Sequence, residues 1–494
     1  MNVTAVAVNL SIFVQLKRLF LLPALITGLG LIPSGRVTAQ TFTNLHSFRG
    51  IGEGANPDSE LILSSNTLYG TTWGGGSSSD IGTVFAINIS GGCFTNMHSF
   101  TGSDGDNPYA GLTLSGNTLY GTASGGGNWG GIGLGSGTVF AINTDGSNFR
   151  VLNQFTGGSD GGAPYGGLIL SGSTLYGTAM RGTTNDTGTV VAIDDFVGGG
   201  KMILHTFTVG SGSLYTNSDG ADPYGGLILS GNTLYGTAEQ GGSSGNGTVF
   251  AVNTDSTGFT NLHSFTGTDG ANPYGGLILS GNTLYGTSQD GGINGYGTVF
   301  AMNTNGMGFT NLHNFSRVDK DTGTNNDGAN PGAGLILSGN TLYGTASKGG
   351  SSGNGTVFAI NTDGTGFTNL HSFSVSPINN GIVANTNSDG ANPNAGLLLF
   401  GNTLYGTARF GGIWGNGTVF SLSLPPPPLT IIHSATNVIL TWPTYAPGIT
   451  LQSTTNLVLS AVWNTNFPSA TMVNGLNAVT NPISGPQQFF RLIQ

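Results

Sequence analysis

The chain repeats one pattern of short apolar runs separated by glycine-rich polar turns. Asp269–Thr287 reads DGANPYGGLILSGNTLYGT, and similar text recurs along most of the chain. In each copy the phrase LYGT is followed by GTVF or a close variant and then, except in the last copy, by LHSF or a relative. The LYGT tyrosines lie between 50 residues apart (Tyr235 to Tyr285) and 62 residues apart (Tyr343 to Tyr405). A period of this length predicts an array of similar supersecondary units.

Each unit predicts four short strands. The runs GLILS and TLYGT are separated by Gly-Asn, a pair typical of two-residue hairpin turns. GTVFAIN is the third predicted strand and FTNLHSF the fourth, with a TDG turn between them. Apolar residues on both faces fit sheets that pack between two other sheets. Four-stranded units without helical periodicity predict an all-β fold of the β-propeller type, because a β-helix has a shorter period.

The frame of the repeat predicts how the ring closes. Thr41–Phe48 reads TFTNLHSF, a fourth strand with no unit before it, whereas the last unit, Ala391–Leu424, lacks its fourth strand. Pairing of these two segments would complete the last sheet and protect an otherwise open edge. The sequence therefore predicts a seven-bladed β-propeller over residues 41–424 that is closed by its N-terminal strand.

The segments outside the repeats predict three further parts. Residues 1–39 are typical of a signal peptide, with Lys17-Arg18 before an apolar run and Val37-Thr38-Ala39 as the cleavage site. Pro425–Pro428 predicts a stiff polyproline linker. Residues 429–494 predict a small fibronectin-like β-sandwich with strands LTIIHS, NVILTWP, ITLQST, AVWNTNF and FFRLI. No other stretch is long and apolar enough to span a bilayer, so no transmembrane span is expected after cleavage.

Composition and charge narrow the function. The 494 residues include 88 glycines, only 7% charged residues and one cysteine, Cys93, which excludes an intramolecular disulfide framework. Removal of residues 1–39 takes away Lys17, Arg18 and Arg36 and no acid, so the net charge changes from −10 to −13. An acidic surface repels phosphate, and nucleic acid is not an expected partner. We expect a secreted or cell-surface monomer that meets cations, glycans or proteins.

The variable connections define one candidate face. The turns between strands 1 and 2 and between strands 3 and 4 are nearly constant, whereas the 4–1 and 2–3 connections vary in length. Alternating strand direction places both variable connections on the same face, which we call the variable loop face. Binding residues concentrate on loops carried by a rigid scaffold, so this face is the predicted binding surface.

Aromatic residues on the variable loop face are candidate ligand platforms. They comprise Tyr109, Tyr165, Tyr224 and Tyr274 after the proline of the 4–1 connection, and Trp73, Trp129, Tyr296, Phe410 and Trp414 in the 2–3 connections. Tyr and Trp combine an apolar ring with a polar group, which suits stacking on sugar rings. For the four post-proline tyrosines, however, packing between blades is the favoured interpretation, and ligand binding is the alternative.

One acid per unit lies in the 4–1 connection. The set is Glu53, Asp104, Asp160, Asp219, Asp269, Asp327 and Asp389, each followed by glycine. Such acids typically tie a turn to nearby backbone N–H groups. The six aspartates are also weak candidates for calcium, which prefers carboxylate and carbonyl oxygens, although no unit has the spacing of a dedicated calcium loop. No other cofactor is indicated.

Histidines and catalytic motifs add little. Six histidines occupy one position of the fourth strand, and Asn153 replaces the histidine of the remaining unit; the six are His46, His98, His205, His263, His313 and His371. Separate blades would keep them apart, so we expect structural histidines. No HExxH, G-x-S-x-G or phosphate-binding loop is present. A glycoside hydrolase needs a pair of carboxylates, and the candidates are Glu239 and Asp290 in the 2–3 connections or members of the acid set of the 4–1 connections. The sequence therefore favours a protein that is not an enzyme.

The repeat phrases resemble those of a known family. DGANPYGGLILSGNTLYGTA, GNGTVFAINTDG and FTNLHSF are similar to the GloVer tandem repeats of bacterial choice-of-anchor proteins, and the resemblance covers residues 41–424. It implies an exported protein with a C-terminal anchoring or sorting segment and supplies no catalytic residue. The chain lacks an LPxTG-like motif, a final hydrophobic helix and a basic tail, which are the better-known anchors.

Three functions are compatible with these observations. The first is an exported binding module that recognises a glycan or protein ligand through the variable loop face. The second is an extracellular polysaccharide-acting hydrolase or lyase that uses acids on the same face. The third is a purely structural envelope protein.

Overall fold

A computed structural model of the protein describes residues 4–9, 40–77, 80–127, 135–182, 186–196, 199–374, 378–379, 382–383, 386–425, 429–434, 436–443, 450–455, 462–473, 476–482 and 487–493. All regular structure in these residues is β-strand. No helix with the length and hydropathy required to cross a membrane occurs among them.

The repeats form four-stranded antiparallel sheets, and seven such sheets lie within the described part of residues 41–423. Sheet 1 comprises Ile62–Ser64, Thr67–Thr72, Thr83–Asn88 and Thr95–Ser99, and sheet 2 comprises Thr113–Ser115, Thr118–Ala123, Thr138–Asn143 and Arg150–Gln154. Sheet 3 comprises Ile169–Ser171, Thr174–Ala179, Thr189–Asp194 and Lys201–Thr206, and sheet 4 comprises Ile228–Ser230, Thr233–Ala238, Thr248–Asn253 and Thr260–Ser264. Sheet 5 comprises Ile278–Ser280, Thr283–Ser288, Thr298–Asn303 and Thr310–Asn314, and sheet 6 comprises Ile336–Ser338, Thr341–Ala346, Thr356–Asn361 and Thr368–Ser372. Sheet 7 comprises Leu398–Phe400, Thr403–Ala408, Thr418–Ser423 and Thr41–Ser47.

The motif LYGT is explained by close packing inside each sheet. In sheet 5, Tyr285 pairs with Ala301 and Gly286 pairs with Phe300. A Cβ atom added to Gly286 would lie 2.6 Å from Cζ of Phe300 and 2.8 Å from Cδ2 of Leu277, so only glycine lets the phenylalanine ring lie flat against the strand. The two-residue turn before this strand begins at Gly281 with a φ of 58°, as the hairpin prediction requires.

Consecutive sheets pack face to face through apolar clusters. Between sheets 5 and 6, Tyr285, Val299 and Phe315 lie against Leu342 and Phe358, all buried. Equivalent clusters join sheets 1 and 2, 2 and 3, 3 and 4, 4 and 5, and 6 and 7. Each sheet therefore buries both faces, which is why its strands are apolar on both sides.

The last sheet packs against the first. Thr41–Ser47 pairs antiparallel with Thr418–Ser423, and this places the N-terminal strand at the outer edge of sheet 7. Tyr405 and Val419 of sheet 7 then pack against Leu68 and Phe85 of sheet 1. The sheets thus form a closed ring of β-propeller type, with the closure that the frame of the repeat predicts.

Buried hydrogen bonds repeat the same closure. A threonine of each second strand donates to a backbone carbonyl that precedes the first strand of the next sheet. The donor and acceptor residues are Thr71 and Ala110, Thr122 and Gly166, Thr178 and Gly225, Thr237 and Gly275, Thr287 and Ala333, Thr345 and Ala395, and Thr407 and Ser59. The last of these bonds joins sheet 7 to sheet 1.

The C-terminal segment forms two further sheets. Thr430–Ser434, Asn437–Pro443, Leu476–Pro482 and Thr471–Val473 form one sheet in this order, and Thr4–Asn9, Gln487–Ile493 and Thr450–Thr454 form the other. A short hairpin of Ile378–Asn379 and Ile382–Val383 lies in the 4–1 connection before sheet 7. Trp442 is buried in a cluster that includes residues of both C-terminal sheets, as a core residue would be.

Two features of the C-terminal segment differ from the prediction. AVWNTNF was predicted as a strand, but its described residues make only an isolated bridge between Asn464 and Ser453, and the strands Thr471–Val473 and Leu476–Pro482 were missed. The polar residues Asn477, Thr480 and Asn481 do not alternate regularly with apolar ones, so LNAVTNP lacks the usual sequence pattern of a strand. Residues 4–9, which fall within the predicted signal peptide, form a strand beside Gln487–Ile493. The predicted cleavage site and Pro426–Pro428 lie outside the described residues.

Candidate functional site

The acids of the 4–1 connections pair with the histidines of the fourth strands. The hydrogen-bonded pairs are His46 and Glu53, His98 and Asp104, His205 and Asp219, His263 and Asp269, His313 and Asp327, and His371 and Asp389, with Nε2 to carboxylate distances of 2.9 to 3.1 Å. The histidines are structural, as expected. Sequence reasoning treated these acids and histidines as separate sets, although their equal phase in the repeat indicates that they share a neighbourhood.

The unit without a histidine replaces its positive partner. Asn153 occupies the histidine position, and Asp160 pairs instead with Lys201 of the next sheet, Nζ to Oδ2 at 2.7 Å. The same ammonium group lies 4.4 Å from the ring centroid of Phe155. Every unit therefore holds its acid against a histidine or a lysine.

These pairs occupy the oxygens that a calcium ion would use. Asp104 also accepts hydrogen bonds from the backbone N–H and the hydroxyl of Thr101, at 2.8 and 2.9 Å. Burial alone would raise the pKa of Asp104, but the hydrogen bonds from His98 and Thr101 outweigh it and hold the pKa below its usual value. Over the described residues, no group of three or more His, Cys, Asp or Glu side chains is arranged to hold a metal ion. In this structure, the acids fix the conformation of the 4–1 connections through these hydrogen bonds.

A second set of residues converges on the ring axis. The segments that precede the seven first strands line one cavity of about 280 Å³, and this common lining places the cavity on the axis. We call it the axial cavity. In each unit, the residue that follows the proline of the 4–1 connection lies at the rim of this cavity. We call these residues the post-proline ring: Asp58, Tyr109, Tyr165, Tyr224, Tyr274, Gly332 and Asn394. The rim belongs to the 4–1 connections and therefore opens on the variable loop face.

The four tyrosines of the post-proline ring contact one another. Tyr165 stacks on Tyr224 with ring centroids 4.8 Å apart, and Tyr109 meets both rings edge to face at 5.7 and 5.4 Å. Tyr274 meets Tyr224 at 5.0 Å. The hydroxyl of Tyr109 accepts a hydrogen bond from Nδ2 of Asn394 at 3.3 Å. These tyrosines thus line the axial cavity and contact one another there, so the favoured interpretation, packing between the blades, was wrong.

Two carboxyl groups face the same cavity. Asp58 occupies the position where four other units have tyrosine, and Glu60 occupies the position where the other six have Gly111, Gly167, Gly226, Gly276, Gly334 and Gly396. A Cβ atom added to Gly396 would lie 3.3 Å from Cδ of Glu60, so this side chain lies beside the neighbouring glycine segment. Glu60 is the largest side chain at this level of the ring.

Both carboxyl groups are poorly compensated. The Asp58 side chain is fully buried, and its nearest charged partner is Arg409, Nε to Oδ2 at 3.3 Å. Neither oxygen of Asp58 accepts a hydrogen bond, and neither does Nε of Arg409 donate one. Burial raises the pKa of Asp58 to about 7 although Arg409 acts in the opposite direction, and desolvation by the walls of the cavity raises the pKa of Glu60 to about 7. Glu60 remains accessible to water from the cavity.

Other predicted acids lie near the rim but have partners. Oε1 of Glu239 accepts a hydrogen bond from the hydroxyl of Tyr274 at 2.7 Å, and burial raises the pKa of Glu239. Oδ1 of Asp290 accepts a hydrogen bond from Nδ2 of Asn330 at 2.8 Å, and burial raises its pKa as well. Glu239 thus orients a tyrosine of the post-proline ring.

The aromatic residues of the 2–3 connections are distributed around the variable loop face. Trp73 lies 5.6 Å from the guanidinium carbon of Arg409, the partner of Asp58, and is 37% exposed. Trp414 is 54% exposed, 6.0 Å from the guanidinium of Arg49. Tyr296 is half-buried against the cluster between sheets 5 and 6. Trp129 lies outside the described residues. Phe410 lies 5.3 Å from the same guanidinium, so Trp73 and Phe410 are both connected to Asp58 of the axial cavity through Arg409.

Sequence reasoning missed Asp58, Glu60, Asn394 and Arg409. The signal was available, because aligning the units shows where one copy departs from the others. Asp58 and Glu60 break a tyrosine and a glycine position that most units keep. The acids that all units share are those of the 4–1 connections. The carboxyl groups of the axial cavity occur instead at positions where one unit differs from the others.

Comparison with known proteins places the chain in a repeat family. A search of curated protein sequences gives no match. Similar solved structures include an oligogalacturonate lyase in complex with manganese (10% identity, 78% of this chain and 97% of that chain, TM-score 0.43) and a europium-containing methanol dehydrogenase (9%, 78% and 93%, TM-score 0.44). A quinohemoprotein alcohol dehydrogenase from Comamonas testosteroni is similar at 12% identity, over 80% of this chain and 78% of that chain, with a TM-score of 0.44. Similarity of this size says nothing about activity. The model of the Gloeobacter/Verrucomicrobia repeat matches residues 27–218, 205–420 and 320–458, and the chain therefore belongs to the Gloeobacter/Verrucomicrobia repeat family.

Proposed function

We propose that this protein is an exported seven-bladed β-propeller that binds a glycan through the axial cavity and the surrounding variable loop face. The observation that carries the proposal is the loss of sevenfold equivalence at the axis. Histidine–acid pairs and threonine hydrogen bonds repeat around the ring, whereas the post-proline ring contains four tyrosines, one aspartate, one asparagine and one glycine. A scaffold requirement would act on all units alike, so this asymmetry supports a ligand.

The chemistry of the cavity supports a glycan. Tyrosine rings, carboxyl groups and the amides of Asn394 and Gln289 together offer apolar faces and polar groups to a hydroxyl-rich molecule. Trp73 extends this set onto the exposed surface. A protein ligand that inserts a polar side chain is the second form of the proposal.

A glycan array with the mature chain, residues 40–494, tests the proposal. We expect binding that is lost or reduced at least tenfold in Glu60→Gln and Trp73→Ala, because both side chains lie on the proposed path of the ligand. Asp255→Asn is the matched control, because this substitution also removes one acid, but from an exposed 3–4 turn on the opposite face. Binding that is equal in all variants would contradict the axial site, and absence of glycan binding would contradict the function.

Hydrolysis is a second candidate function with an observation in its favour. Asp58 and Glu60 both have a pKa near 7, which suits a general acid or base, and they face one cavity. Release of soluble sugar from a polysaccharide panel by the wild-type chain and not by Glu60→Gln would favour hydrolysis. Binding without product release would favour the binding module.

Export and the C-terminal domain belong to the same proposal. We infer cleavage after Ala39 and a small β-sandwich over residues 429–494. Cleavage would remove the strand Thr4–Asn9 from the sheet that contains Gln487–Ile493 and leave the latter strand at an edge. N-terminal sequencing of the protein recovered from culture medium or the cell surface should begin at Gln40; an N-terminus that retains residues 4–9 would contradict export by cleavage.

A further inference from the structure

The unpaired groups of the axial cavity are acceptors. Both oxygens of the buried Asp58 lack a hydrogen-bond donor, although Arg409 lies beside them, and the exposed Glu60 has no hydrogen bond or ion pair to any described residue. The amide Nδ2 of Asn394 is already bonded to Tyr109. Glu60 is therefore the accessible acceptor of the cavity, and a ligand that contacts it is expected to bring hydrogen-bond donors.

The charges of the cavity favour a positive donor. Asp58 and Glu60 contribute two carboxyl groups, whereas Arg409 contributes one guanidinium, which forms an ion pair with Asp58. Four tyrosines also line the cavity, and tyrosine rings attract cations. A bare metal ion fits less well, since the described residues gather no set of three metal-ligating side chains and the cavity volume is about 280 Å³. An ammonium group attached to a small polar molecule matches both the charge and the size.

The post-proline ring has a gap that a ligand could use. Gly332 occupies the position of a tyrosine and contributes no side chain to the rim. A Cβ atom added there would meet only the side chain of Gln289, at 3.8 Å, which is ordinary van der Waals contact. The backbone at Gly332 is outside the left-handed region, so a larger residue is compatible with it. Four other units have tyrosine at the equivalent position, and a tyrosine here would close the gap.

We propose that the axial cavity binds the protonated free amino group of an amino sugar, which enters through the gap at Gly332 and is held by Glu60, with the buried Asp58 adding to the negative charge behind it. This inference rests on the proposed glycan function and deepens it by naming the substituent that is recognised. The raised pKa of each acid is consistent with the geometry, because an ammonium group would replace the missing positive partner and favour the ionised carboxylate.

Three tetrasaccharides that share one β-1,4-linked glucose-type backbone test the inference. Isothermal titration at pH 6.5 would compare a tetramer of glucosamine, a tetramer of N-acetylglucosamine and cellotetraose, which differ only at carbon 2. We expect the glucosamine tetramer to bind at least tenfold more tightly than the other two. Glu60→Gln should reduce its affinity about tenfold or more, and Gly332→Tyr should abolish binding, while Asp255→Asn should leave the affinity unchanged.

The outcomes separate this inference from the proposed function. Equal affinity for the three tetramers, or preference for the N-acetylated or neutral one, would overturn the amine specificity and leave glycan binding intact. Loss of selectivity only in Gly332→Tyr, with Glu60→Gln unchanged, would overturn the role of Glu60. Failure of all three tetramers would overturn the inference, and the glycan array would then decide whether the function fails with it. Thermal melting of each variant verifies folding, and Glu60→Gln remains informative if Gly332→Tyr does not fold.

Discussion

Replacement of Asp58 by asparagine should stabilise the protein at alkaline pH. Asp58 has a fully buried side chain whose oxygens accept no hydrogen bond, and Arg409 lies 3.3 Å away without a well-aligned N–H. Its ionised form is therefore destabilised in the folded state. Substitution by asparagine removes the charge and preserves the shape of the side chain.

The pKa gives the size and the pH window of the effect. An increase from 3.8 to about 7 corresponds to about 4 kcal/mol between the two protonation states, mostly from burial. Below pH 4 the carboxyl is protonated in the folded and unfolded states, and it affects stability little. Between pH 4 and 7 the unfolded chain ionises first, so the folded protein loses stability as the pH rises; above pH 7 the loss is complete. A buried asparagine amide keeps part of the burial penalty, so we expect Asp58→Asn to gain about 1 to 3 kcal/mol at pH 8.5 and almost nothing at pH 4.

Urea unfolding followed by tryptophan fluorescence measures this difference. Wild type, Asp58→Asn and the control Asp255→Asn would be compared at several values between pH 4 and 8.5, with equal slopes required before free energies are compared. Asp255 lies in an exposed turn, where hydrogen bonds from Thr257 hold its pKa below the usual value. Its replacement therefore cannot reproduce a gain between pH 4 and 7. A constant difference across this range, or a variant of Asp58 that is less stable at pH 8.5, would refute the placement of an uncompensated carboxylate at the axis.

The remaining predictions concern the ring itself. Lys201→Met should destabilise the protein by about 2 kcal/mol because it leaves Asp160 without its positive partner, and addition of Asn153→His should restore most of the loss in urea unfolding; no recovery would contradict equivalent roles. Thr345→Val should reduce stability by about 1 kcal/mol through loss of one buried bond between sheets, and an unchanged denaturation midpoint would show that the bond contributes nothing. A chain that begins after Phe48 should lose cooperative unfolding or associate, because the edge of sheet 7 becomes unpaired; a monomer as stable as residues 40–494 would contradict closure. Calcium should leave the melting temperature equal to that in EDTA, since the acids of the 4–1 connections are already bonded, and a rise with calcium would restore them as a cation site.

The fold of the repeats was predictable because its causes are local and repeated. The two-residue turns, the alternating strands and the incomplete last unit each appear in the sequence, and the structure pairs Thr41–Ser47 with Thr418–Ser423 as the frame requires. The C-terminal segment was less predictable because it has one copy of each strand. Leu476–Pro482 has no regular apolar alternation when taken alone, and its role becomes visible only through its partner Asn437–Pro443.

The candidate site was harder to predict because it depends on distances across the ring. Tyr109 and Asn394 are 285 positions apart in the chain, yet the hydroxyl and the amide lie 3.3 Å apart at the axis. Periodicity shows that units are equivalent, but it does not show which position of a unit faces the axis. The shared cavity supplies that information, and it converts the substitutions at Asp58 and Glu60 from irregularities in a repeat into neighbours.

The contrast between the two sets of acids argues that stability and function are separated in this ring. The acids of the 4–1 connections have a histidine or lysine, and hydroxyl or N–H donors, that favour their ionised forms, so they support the fold. Asp58 and Glu60 occupy positions where tyrosine or glycine satisfies the scaffold in other units, and their ionisation opposes folding. Groups that lower stability at one point of a symmetric scaffold are expected where a ligand, and not the fold, requires them. If the axial acids served the fold alone, their neutral replacements would lower stability without changing ligand binding, which is the opposite of both results expected above.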